Sequence, residues 1–78
     1  MNEKEQLIAE YVQDIKDAGE CYEAIAQINP QYRAATIALL DALTLYHREA
    51  QQAFDKLRSM GMAEGDILAA ASQAGSQA

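Results

Sequence analysis

Tryptophan is missing from this 78-residue chain, and cysteine, proline and histidine occur once each. With Cys21 alone no internal disulfide forms, and one cysteine with one histidine, His47, cannot close a structural zinc site, which takes four such ligands. Basic residues are scarce too: six Lys and Arg stand against twelve Asp and Glu, a net charge of -6. That balance argues against a generic phosphate-binding surface, which relies on clustered cations. No apolar run approaches the roughly 18 residues of a membrane span, and the opening MNEKEQ lacks the basic start of a signal peptide. Nor is there a Gly-rich phosphate loop, a nucleophile elbow or a paired acid and base. The expectation is a cytoplasmic, non-enzymatic protein without cofactor, metal or small-molecule substrate, its free thiol at home in a reducing compartment.

What the chain does have is Ala, Leu, Gln and Glu, with half its residues apolar. These are helix formers. From residue 3 to 28 the apolar Ile8, Tyr11, Val12, Ile15, Ala18, Tyr22, Ile25 and Ala26 recur at three- and four-residue spacing, the mark of an amphipathic helix. Two rows within it, Ile8, Ile15, Tyr22 and Tyr11, Ala18, Ile25, repeat in sevens as in a coiled-coil seam. Asn29-Pro30 breaks the pattern, with Asn29 suited to cap a second helix that Pro30 begins. Two long helices joined so briefly should fold back as an antiparallel hairpin.

The second helix is expected over residues 30–60, closed by Gly61 in the left-handed conformation. At 100° per residue, Tyr32, Thr36, Leu39, Leu40, Leu43, Tyr46, His47, Ala50, Phe54 and Leu57 lie within about 60° of Leu43, and this is the face assigned to the first helix. Yet Ala34, Ile37, Ala38 and Leu45 fall on the reverse side, before that side turns polar at Arg48, Gln52, Asp55 and Lys56. A short third helix over residues 63–72, anchored by Ile67 and Leu68, should pack near Phe54, Leu57 and Met60. Its ten residues reach only about 15 Å, whereas Leu45 lies about 22 Å back from Met60. Residues 1–73 thus read as one helical domain and 74–78 as a flexible tail.

So small a chain buries only about 60% of its unfolded surface. Oligomerisation is the remedy left when disulfides and metals are unavailable. The expectation is therefore all-α: an antiparallel hairpin plus a short C-terminal helix, dimerising into a four-helix bundle. Ala34, Ile37, Ala38 and Leu45 are its dimer or partner interface, the alanines allowing close approach. A monomer with a bent first helix is the competing arrangement.

Other side chains have plain readings. His47 reads as a half-buried core residue, Cys21 as a small buried or edge residue, and Tyr11, Tyr22, Tyr32 and Tyr46 as seam residues with their hydroxyls toward solvent. Arg33, Arg48, Lys56 and Arg58 interleave with Asp41, Glu49 and Asp55, a mixed-charge face. Leu39 to Leu57, LLDALTLYHREAQQAFDKL, resembles a segment of the long helices of BAR domains, with Tyr46, His47, Arg48 and Ala50 matching in kind. It covers a quarter of a chain far shorter and more acidic than those membrane-binding domains, and no function is carried over. The functional expectation is a homodimeric protein-interaction module acting as adaptor, assembly chaperone or inhibitor of a partner protein, of the kind phages and mobile elements encode. Alternatives are an RNA-binding hairpin dimer, as some plasmids encode, and a structural subunit of a larger complex.

Overall fold

A computed structural model describes residues 2–76. Three helices follow one another, α1 (Glu3–Gln27), α2 (Arg33–Ser59) and α3 (Glu64–Ser76). Among the described residues there is no strand. The start of α1 is set by Asn2, whose side-chain oxygen accepts from the Glu5 N–H at 2.8 Å, while Glu3 and Glu5 lie at the positive end of the helix dipole.

The link to α2 differs from the expected cap. Asn29 does not cap α2: its side-chain oxygen accepts from the Gln31 N–H, and its carbonyl accepts from the Tyr32 N–H at 2.9 Å. Asn29 to Tyr32 therefore form a closed turn with Pro30 inside it, and the helix begins at Arg33, three residues later than residue 30. At the other end α2 stops at Ser59. Gly61, at φ 97°, donates to the Arg58 carbonyl and Met62 donates to Leu57, which together form a Schellman motif. Gly61 is the left-handed residue that this motif requires.

The expectation for this part of the chain is a short helix over residues 63–72 and a flexible tail over 74–78. Instead α3 begins at Glu64 and runs through Ser76, so residues 74–76 are helical; Gln77 and Ala78 lie outside the described residues. An alanine-rich stretch is a good helix former whether or not it carries large apolar anchors.

The two long helices pack side by side into a hairpin, giving an elongated molecule of 46 × 24 × 21 Å. Its core is not spread evenly along that length. Leu7, Ala53, Leu57 and Ile67 form the buried cluster, with Ile8, Tyr11, Phe54, Met60 and Met62 packed around it, all at the end where α3 folds back. There Leu57 and Ile67 are fully enclosed, each contributing about 1.5 to 3 kcal/mol. Toward the Asn29 turn Ala18 is buried, and the other side chains of the hairpin's contact line are half-buried, among them Cys21, Ile25, Ile28, Leu39, Ala42 and Leu43. The molecule has a packed end and a thin end.

Candidate functional site

The thin end is where apolar surface is left over. Its origin lies in the two heptad rows of α1. Tyr11, Ala18 and Ile25 turn toward α2 and are buried or half-buried, joined on their far flank by Leu7, Asp14 and Cys21. The neighbouring row, Ile8, Ile15 and Tyr22, is rotated about 60° away from that contact. Ile8 at its start packs against the core, but Ile15 and Tyr22 are 46% and 68% exposed.

The second helix shows the same rotation. Its contact with α1 is centred on Leu39, Leu43, Ala50 and Leu57, with Ala42, Tyr46 and Ala53 on one flank. This lies about 40° from the face centred on Leu43. Leu40 and His47, assigned to the core face, are consequently exposed; Tyr32 is exposed as well, because it precedes α2 in the turn. His47 is a surface residue, not a half-buried one. Leu40, His47 and Phe54 form a heptad row on α2 that lies beside the Ile8, Ile15, Tyr22 row of α1 on the same side of the hairpin, here termed the front.

Rung by rung, the front goes from covered to open. At the packed end Tyr11 and Phe54 meet with ring centroids 5.9 Å apart. One step toward the turn, Ile15 and His47 share a depression with Leu68 and Glu64 of α3. One heptad further, about 10 Å along the axis, the antiparallel register brings Tyr22 level with Leu40, with none of the described residues covering them. Gly19, between Ile15 and Tyr22, adds no side chain, and a Cβ there would meet open space. Helix α3 lies across this front as a bar. One edge, Ala70, Gln73 and Ala74, is against Asn2 to Ala9, and the other, Leu68, Ala71, Ser72 and Gly75, is against Tyr11 to Lys16. It covers the packed half and stops, leaving Leu68 facing the open half.

The back of the hairpin is of the opposite character. Glu10, Gln13 and Asp14 of α1 face Glu49, Gln52 and Lys56 of α2 across a cleft that Leu7 and Ala53 also line. Burial raises the pKa of Asp14 above its ordinary value, helped by the charge of Glu49, a hydrogen bond between the two carboxyls, and the charges of Asp17 and Glu10. Tyr46 is likewise raised, first by the charge of Asp17. The ion pair of Lys56 with Glu3, at 3.6 Å and exposed, adds little.

The four residues expected to form an interface are exposed on α2. Ala34, Ala38 and Leu45 lie on the outer side, remote from α1. Ile37, at 59% exposure, lies most nearly opposite α1, about 60° round the helix from Leu40. The outer side thus offers Ile37 and Leu45 among alanines, whereas the front gathers Ile15, Tyr22, Leu40 and Leu68. Sequence reasoning missed Ile15, Tyr22 and Leu40 as surface residues because each belongs to a regular apolar stripe, and Leu68 because it stands beside Ile67, which alone of the two expected anchors is buried. Among the described residues no group of three or more His, Cys, Asp or Glu side chains converges as for a metal ion, and no helix is long and apolar enough to cross a membrane. Compared with protein-family models, curated proteins and solved structures, the chain matches none.

Proposed function

We propose that this chain is a non-enzymatic protein-interaction module, an adaptor, assembly chaperone or inhibitor, whose working surface is the open half of the hairpin front. The observation that carries the reading is the contrast between what is buried and what is not. The core encloses two large side chains, Leu57 and Ile67, while seven large apolar side chains among the described residues remain at least 45% exposed. Single exposed leucines are ordinary on protein surfaces; apolar side chains gathered on one face mark an interaction site. The front brings together four of the seven, Ile15, Tyr22, Leu40 and Leu68, and an aromatic with aliphatic neighbours is the kind of cluster that anchors protein partners. A nucleic-acid partner is disfavoured, because the centre of this face carries no Lys or Arg and the back of the hairpin is acidic.

The test is retention from native lysate on the immobilised chain, alongside Ile15→Asp and Leu40→Asp. The expected outcome is a protein held by the native chain and lost from both variants, at moderate salt. Retention of nucleic acid instead, falling steeply with salt, or equal retention by all three chains, overturns the proposal.

A further inference from the structure

The open half-face has a size, a shape and a charge pattern of its own, and together they select its occupant. A compact protein of 8.5 kDa exposes about 4,700 Å². This chain exposes 5511 Å². The excess of about 800 Å² equals one partner's share of a standard protein interface. The radius of gyration, 14.5 Å, likewise exceeds the about 11.5 Å of a compact domain of this length.

Shape supplies the second constraint. Helices stack at about 8–10 Å, so α3 already occupies a second layer over the packed half of the front. A second helical layer over the open half would complete it. A partner lying there meets α3 as an end stop, and its length is limited to about 18 Å, the rise of α1 from Ile15 to Gln27. The open half-hairpin of another copy has that length and the same apolar rows. Laid front to front with the chains antiparallel, each hairpin tip abuts the other copy's α3, and both α3 helices stay clear of one another. A parallel arrangement would set the two α3 helices in collision.

Charge agrees with the antiparallel choice. Arg33 lies at the tip, beside Thr36 and Ile37, and Glu64 lies on the edge of α3 that faces the open half. The antiparallel two-fold brings Arg33 of each copy toward Glu64 of the other, both on the α2 side. We infer that the occupant of the open half-face is a second copy of this chain, seated antiparallel, front to front, with the two-fold axis passing beside Tyr22 and Leu40. The loop-end halves then form a four-helix bundle, and α3 caps each of its ends. This deepens the proposed function and rests on it in one respect, the identity of the working face, so that a protein retained from lysate competes with the second copy for that face. The dimer uses the front and leaves Ala34, Ala38 and Leu45 outside.

The experiment measures solution mass by light scattering on the native chain, Leu40→Asp and Leu45→Asp, at matched protein concentrations. The expected result is twice the 8.5 kDa chain mass for the native chain and for Leu45→Asp, and a folded monomer by circular dichroism for Leu40→Asp. Two carboxylates meeting beside the axis should weaken the dimer by at least about a hundredfold. A second variant guards against a folding artefact: Leu40→Cys in a Cys21→Ser background should join into a covalent dimer with a short bis-maleimide, and Leu45→Cys should not. A monomeric native chain, or a dimer broken by Leu45→Asp but not by Leu40→Asp, or cross-linking at Leu45→Cys alone, overturns the inference. A native monomer that still retains a protein from lysate would leave the interaction module standing without self-association; a dimer that retains none would do the reverse.

Discussion

Replacing Leu57 by alanine should separate the packed end from the thin end in one comparison. Leu57 is fully enclosed where the three helices meet, against Leu7, Ala53 and Ile67, with Phe54, Met60 and Met62 around it. Removing a buried leucine's outer atoms costs their transfer energy plus the cavity, about 2 to 5 kcal/mol. Ala53 is too small to close the gap, and Leu7 and Ile67 are held by different helices, so the upper part of that range is expected. A chain of this length has about 4 to 12 kcal/mol to lose. The same substitution at Leu40, which is already half in solvent, should cost the monomer less than about 1 kcal/mol. Urea unfolding followed by circular dichroism, at protein concentrations low enough for the monomer, reads both values. For a domain of this size each kcal/mol corresponds to about 4–8 °C in Tm, so Leu57→Ala should fall by at least about 10 °C. Equal losses at the two positions would refute the account of where the core lies.

Gly61→Ala should destabilise the fold by about 1 kcal/mol or more, because its φ of 97° is strained for any side chain, whereas Gly19→Ala, helical and open to solvent, should stabilise the monomer by about 0.5–1 kcal/mol; thermal unfolding checks both. Asp14 has its pKa raised in the folded chain, so its favourable contribution is complete below the unfolded value of about 3.9 and is lost as pH rises through the raised one. Urea midpoints should therefore fall as pH rises through the acid range, and Asp14→Asn should flatten that fall; an unchanged profile would contradict the carboxyl pairing with Glu49. Ile67→Asp should release α3 from the front and increase binding of a hydrophobic dye, because Ile67 is the side chain that anchors that helix in the core.

Much of the architecture can be read from the residues in order. The three helices and the left-handed Gly61 follow from spacing and punctuation, and Ile67 packs beside Leu57 and near Phe54 and Met60 as the reach of a short helix requires. The rotation of α2 could not be read so. Large residues drew the expected face out to Leu40 and His47, while the real contact turns toward Ala42 and Ala53, small residues outside the expected face. Alanine carries little weight in a hydrophobic pattern but decides which side of a helix comes nearest. A regular seam also says nothing about how far along it a partner extends. Ile8, Ile15 and Tyr22 look equivalent in sequence, and only the position of α3 across the front separates the covered Ile8 from the open Tyr22. The turn is a similar case: Asn29 can cap a helix or close a turn, and with Pro30 next to it the turn prevails.

The measurement closest to the central claim is hydroxyl-radical footprinting of the intact chain at working concentration, comparing oxidation at Tyr22 and Leu40 with that at Tyr32 and Leu45, residues of similar exposure in the isolated fold. The account predicts that Tyr22 and Leu40 are protected as concentration rises, or on addition of native lysate, while Tyr32 and Leu45 stay reactive. Uniform reactivity at all four under every condition would contradict it, because the open half of the front would then be covered by nothing.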